Sequence, residues 1–221
     1  MRRFLIPLIF GLGGFAILAS LGIWQLQRHQ WKQSVLAEIE AKIGGIPMPL
    51  PINPKEAEHE YMPVSAIGGY NGKSIAVLTS VERVGPAYRN VSAFLTEDRW
   101  IMVDRGWVSA EDLKPGLPGS DHVAGNLHWP DEVDGWTPEP DLENGIFYAR
   151  DVATMAEALG TEPILIVARE PTGLPPATPM PVGTEGIPNN HWGYAIQWFG
   201  LALVWLGMTA FLLWRIHRRT V

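Results

Sequence analysis

Two uncharged apolar runs bracket this chain, Phe4 to Leu26 and Tyr194 to Trp214. Each is about 20 residues, the length a helix needs to cross a hydrocarbon core of about 30 Å. Backbone polar groups inside a bilayer must be satisfied within the segment, so both runs are expected to be helices. The roughly 160 residues between them are enough for one domain with a core of its own, tethered at both ends. The first run opens Met1-Arg2-Arg3, as a signal peptide would. Its apolar length exceeds the usual h-region, and no A-x-A site follows. It also continues into Trp24, an interfacial aromatic, so it is expected to be a retained anchor.

Charge orients the two runs. All 23 acidic residues lie between them. Of 17 basic residues, Arg2, Arg3, Arg215, Arg218 and Arg219 lie outside, leaving 12 basic against 23 acidic groups in the middle. Short basic tails mark the cytoplasmic side, so both termini are expected inside and the acidic domain outside. Arg28 and Lys32, just past the first run, run against this bias. An acidic domain without a basic face excludes nucleic-acid binding. There is no cysteine, hence no disulfide framework, thiolate metal site or cysteine nucleophile.

From Trp24 to Lys42 there is no Pro or Gly, and Trp24, Trp31, Val35 and Ile39 recur at helical spacing. The first helix is therefore expected to continue to about residue 42 and stop at Gly44-Gly45. Pro47, Pro49, Pro51 and Pro54 then read as an extended linker. Met62 to Ile67 and Ser74 to Val84 read as strands, joined by a hairpin at Asn71-Gly72. Asn90 to Leu95 and Arg99 to Val108 form a second hairpin around Glu97-Asp98, and His122 to Trp129 is a weaker strand. Pro130 to Gly145 reads as a loop, Asp151 as the cap of a short helix ending at Gly160, and Ile164 to Val167 as a short strand. The Pro- and Gly-rich passage from Gly173 to Pro188 reads as a second extended linker. The expected fold class is an α+β membrane protein. Two transmembrane helices, residues 4–26 and 192–214, flank a mostly antiparallel β domain over 45–188, with a basic tail at 215–221.

Ordinary catalytic chemistry finds little support. No G-x-S-x-G occurs, and Ser65, Ser80 and Ser109 sit in plain strand or turn contexts. His59, His122, His128 and His191 form no His-x-x-x-His pair, which disfavours a structural zinc site. The informative residues lie at the two membrane edges. His191 sits where the second helix would enter the bilayer, beside Trp192, Tyr194 and Trp198. It reads either as part of an aromatic interface belt or as an axial ligand to a haem at the outer surface. The matching edge of the first helix carries Trp24, Gln25, Arg28, His29, Trp31 and Lys32. Arg28 and Lys32, one turn apart, suit either lipid headgroups or the carboxylates of an amphipathic ligand.

These edges also carry a family resemblance. Gly22-Ile23-Trp24-Gln25-Leu26-Gln27-Arg28-His29-Gln30-Trp31-Lys32 resembles the G-x-W-Q-x-x-R-x-x-W-K signature of the Surfeit locus family of cytochrome c oxidase assembly factors. Val103-Asp104-Arg105-Gly106-Trp107-Val108 is similar to its V-N-R-G-W-V strand, and Phe147-Tyr148-Ala149-Arg150-Asp151 to its W-Y-x-R-D segment. Asn189-Asn190-His191-Trp192-Gly193-Tyr194-Ala195 matches its N-x-H-x-x-Y-A motif. The motifs occur in family order over nearly the whole chain. Asp104 stands where asparagine is usual, Phe147 replaces a tryptophan, Gln197 stands where threonine is common, and Pro188 replaces a basic residue.

The resemblance implies a non-enzymatic role in building haem-copper oxidases, with no catalytic residues. It implies haem a as a transiently held cofactor. His191 would be its metal ligand, and Arg28, Trp24 and Tyr194 the other cofactor-binding residues. The implied partners are cytochrome c oxidase subunit I, haem a synthase and the lipid bilayer. The implied setting is a bacterial inner membrane, with the central domain periplasmic. Two alternatives are a scaffold that stabilises an oxidase assembly intermediate without binding haem, and a copper-delivery protein, which the lack of cysteine disfavours.

Overall fold

The computed structural model describes residues 2–184 and 187–218. In chain order the elements are α1 (Arg2–Ile43), β1 (Met48–Pro49), α2 (Glu56–His59), β2 (Pro63–Val81), β3 (Gly85–Thr96), β4 (Arg99–Ser109), β5 (Pro118–Leu127), β6 (Ile146–Phe147), α3 (Val152–Leu159), β7 (Leu165–Ala168) and α4 (His191–Arg218). They form two compact units: Ile39–Gly183, and Met1–Glu38 with Thr184–Val221. Met1 and residues 219–221 of the expected basic tail lie outside the described residues.

The second unit is an antiparallel pair of helices. Contacts run in opposite order along them: a Cβ on Gly22 would press on Phe199, one on Gly14 would overlap Trp205, and one on Gly11 would overlap Thr209. Small residues at these positions let the helices approach closely, as membrane helices do. Ala195 and Ala202 supply the same on α4, being 1% and 2% exposed. The Trp205 indole donates to the Gly11 carbonyl at 3.0 Å. Both helices are long and apolar enough to cross a membrane, and only 6% of each apolar window is buried within the protein. So much exposed apolar surface suits lipid and not water. As expected, α1 continues well beyond membrane length and ends at Gly44-Gly45, where Gly44 N donates to the Glu40 carbonyl at 2.9 Å.

The other unit is a closed β-barrel. β2 pairs with β5 through residues 63–71 and with β3 through residues 69–81. The circuit continues through β4 and the parallel neighbour β7, and returns to β5. Alternation sets the two faces. Ile101 and Val103 point to a core with Val64, Tyr70, Phe94 and Ile166. Met102 and Leu165 point the other way, to a layer with Met155 and Leu159 of α3. Asp151 caps α3 by accepting from Thr154 N at 2.6 Å, and Gly160 ends it in the left-handed conformation, both as expected.

The sequence-based reading needs four corrections here. Asn71-Gly72 is not a hairpin. It lies in a bulge within the single long strand β2, with Gly72 at φ +88° and Asn71 Oδ1 accepting from Lys73 N. One strand that serves both ends of a closed sheet must bend, and the bulge supplies the bend. The turn falls instead at Glu82 to Val84, so β3 begins at Gly85. The first proline passage contains β1, parallel to β2, and leads into the helix α2. The second is not a free linker: Thr178 bridges Trp107 in both directions, at 2.8 and 2.9 Å. That approach requires glycine at 106, where φ is +104° and a Cβ would strike the Thr178 carbonyl. The remaining hairpin stands as expected, with Glu97 and Asp98 both at positive φ between Thr96 and Arg99.

Thr172 and the start of the second proline passage cover a buried cation. Arg105 is 1% exposed and donates to the carbonyls of Thr172 (2.8 Å) and Pro175, while its guanidinium lies 5.4 Å from the Tyr70 ring centre. The Tyr70 hydroxyl meets Thr172 Oγ1 at 2.9 Å. Burial pushes the Tyr70 phenol up to about 12, against the opposing pull of Thr172 and Arg105. A folded pKa above the unfolded value of 10.0 contributes stability that is present below pH 10 and lost as pH rises towards 12. Base unfolding followed by circular dichroism should therefore show this loss in the native protein and lack it in Tyr70→Phe.

Candidate functional site at the helix-pair edge

The polar residues of α1 and of the segment leading into α4 meet at one end of the helix pair. α1 presents Gln25 and His29, four residues and one turn apart, on the same face. Each meets one group from the other segment. His191 Nδ1 lies 2.8 Å from Gln25 Oε1. His29 Nδ1 lies 3.2 Å from Asn189 Oδ1, and its ring centre is 6.1 Å from that of Trp192. Since an amide oxygen can only accept, Nδ1 is the donor in each pair. In each ring this leaves Nε2 as the nitrogen not engaged in the contact.

His191 is the first residue of α4 and is half-buried, on the face that continues through Ala195 to Ala202. Tyr194 points off that face and is 51% exposed. It lines a shallow depression of about 440 Å³ with Asn189, Asn190, Trp192, Gly193 and Gln197. Trp24 is 50% exposed beside Gln25. The Arg28 guanidinium lies 4.4 Å from the Trp31 ring centre, a cation–π contact on its own helix. So the edge joins His191 to Gln25, while Trp24, Arg28 and Tyr194 are exposed on the same stretches of the two helices. The Gln25 and Asn189 amides and His29 were not among the site residues expected from sequence. Gln25 and Asn189 belong to the two motifs that carry the resemblance, but nothing in residue type alone says that those motifs touch.

Two of the scattered histidines have structural partners. His128 Nδ1 lies 2.6 Å from Glu60 Oε1 and stacks on Tyr61. His59 bonds the Lys55 backbone. Among the described residues no group of three or more His, Asp or Glu is placed to hold a metal ion.

A model of the SURF1 family matches residues 12–203, which takes in both edges of the helix pair and the whole barrel. The chain belongs to the SURF1 family. It is 30% identical to Surfeit locus protein 1 of Rattus norvegicus over 209 residues, covering 82% of this chain and 67% of the rat protein. It is 29% identical to the Homo sapiens protein of that name over 211 residues, covering 83% and 69%. A SURF1-like protein of Caenorhabditis elegans is 26% identical over 219 residues, covering 84% and 67%. Within this SURF1-family chain the four motifs meet two by two. The helix-edge pair joins Gln25 to His191, and the barrel pair joins Asp104 to Arg150, with Arg150 Nη1 3.4 Å from Asp104 Oδ2. The first pair is part-buried at the edge of the two helices. The second is buried and structural.

Proposed function

We propose that this SURF1-family protein is an assembly factor for haem-copper cytochrome c oxidase, and that it holds haem a at the helix-pair edge through His191. Family membership supports the assembly role. The observation that carries the haem reading is the 2.8 Å contact between His191 Nδ1 and Gln25. An imidazole whose second nitrogen is tied to a fixed acceptor is how proteins orient and strengthen a histidine ligand. A histidine with one ring nitrogen held by Gln25 and the other unengaged would suit haem iron, for which histidine is a common ligand.

When bound, haem a would supply an iron that His191 would hold through a ring nitrogen, and its redox chemistry would belong to the oxidase that receives it. His191 presents Nε2, and Gln25 holds the ring against rotation. Arg28, once lifted from Trp31, has donors for a carboxylate. Trp24 and Tyr194 offer exposed aromatic faces for a flat macrocycle. One histidine ligand at an open edge suits holding and release and requires no catalytic residue. Subunit I of the oxidase would receive the cofactor and haem a synthase would supply it. The barrel unit would face the periplasmic side of a bacterial inner membrane, with both termini cytoplasmic.

The reading is tested in a strain lacking the protein. The haem a absorbance of the membranes and cytochrome c oxidase activity should both fall severalfold, and both should return on re-expression. Unchanged oxidase haem and activity would remove the assembly role.

A further inference from the structure

Trp136 is 92% exposed, the most exposed of the large hydrophobic side chains described. A lone exposed apolar side chain is ordinary, but one that is part of a contiguous apolar patch marks an interaction site. Its loop is pinned at both ends. Glu132 forms an ion pair with Arg150, and Arg150 reaches the buried Asp104. Asp141 and Ile146 exchange backbone hydrogen bonds at 2.8 and 2.9 Å. Between these anchors Trp136 N donates to Asp134 Oδ1 at 2.9 Å. The indole is therefore displayed from an ordered loop.

Thr137 and Pro138, which follow Trp136 in the chain, line an open groove of about 330 Å³ with Val133, Pro140, Leu142 and Tyr148. Val133, Leu142 and Tyr148 are 52%, 64% and 40% exposed. The surrounding loop is predominantly acidic, with Glu132 already paired to Arg150. Residues 131–145 hold Asp131, Glu132, Asp134, Glu139, Asp141 and Glu143, and no Lys or Arg. Hydrogen bonds from the Trp136 backbone and the Thr137 hydroxyl hold the Asp134 carboxyl below the usual range, and Asn144 does the same for Asp141, so both stay ionised in mild acid.

We propose that Trp136 and this groove form a docking site for a basic, apolar segment of another protein, whose aliphatic side chains fill the groove while its Lys or Arg side chains meet the acidic rim. An aromatic anchor beside an apolar pocket with a charged rim is the usual composition of an interaction hot spot. The charge selects the occupant. A second copy of this chain would set one acidic loop in an acidic domain against another, and an anionic bilayer would repel it. The site needs no haem and does not depend on His191.

The full-length protein in neutral-lipid nanodiscs should be titrated with three synthetic decapeptides: alternating Arg and Leu, the same with Glu for Arg, and the same with Ser for Leu. The Arg–Leu peptide should bind at least about tenfold more tightly than either relative, and more weakly as salt is raised. Trp136→Ser and Leu142→Ser should each weaken it by about tenfold with circular dichroism unchanged, since both side chains are exposed. Equal affinity for Trp136→Ser, or equal binding of the Glu peptide, overturns the proposal. So does binding to anionic vesicles in place of the Arg–Leu peptide, or self-association that Trp136→Ser abolishes.

Discussion

Asp104→Ala is expected to destabilise the barrel unit by about 3–5 kcal/mol, the cost of breaking a buried ion pair from one side. Asp104 is fully buried. One of its oxygens meets Arg89 and Arg150, and the other accepts from Gly106 N at 3.0 Å. Without it, two largely buried guanidiniums face each other, and Glu132 at the surface is the one carboxylate left to Arg150. Burial pushes the Glu132 carboxyl up, but hydrogen bonds and charge from Arg150 outweigh this and hold it below its ordinary value. Its contribution is therefore present above the unfolded carboxyl pKa and lost as pH falls through the lower folded one. Asp104→Asn keeps the shape and the Gly106 contact and should cost less than alanine. Urea denaturation followed by circular dichroism gives both numbers. A midpoint for Asp104→Ala within error of the native protein would contradict the assignment of Asp104 as the hub of this network.

The second large effect is expected at His191. In cells lacking the chromosomal copy, His191→Ala should support no more oxidase haem a than the empty vector. Its abundance in the membrane should match the native protein, because a half-buried residue at a helix start contributes little packing. Gln25→Leu should fall between the two. It keeps the imidazole but removes the acceptor that fixes its tautomer, a loss of about 10–100-fold in affinity at comparable metal sites. His29→Ala tests whether the neighbouring imidazole shares the work, and native oxidase haem in that variant confines the ligand role to His191.

Much of the architecture was legible in the residues, and what was not had a physical reason. Length and polarity alone gave the two membrane-length helices, since nothing else satisfies an uncharged 20-residue run. Local chemistry gave the α3 caps at Asp151 and Gly160 and the turn at Glu97-Asp98. Closure of the barrel was hidden because it depends on β2 pairing with two partners, and Asn71-Gly72 looks like a turn while serving as the bulge that lets one strand do so. The two proline passages read as linkers because proline cannot join a ladder freely. Yet Thr178 and Pro175 use their backbones to close over Trp107 and Arg105. At the site, His191 and Arg28 stood out by residue type. That Gln25 holds His191 is a contact between residues 166 positions apart, which periodicity cannot reveal.

The most direct measurement is the visible spectrum of the protein purified from cells that make haem a, native against His191→Ala, with haem and protein both quantified. Haem a should copurify in near-stoichiometric amount with the native protein and be lost from His191→Ala. Equal haem in the two, or none in either while the deletion strain still lacks oxidase, would contradict the ligand role and leave a scaffold in its place.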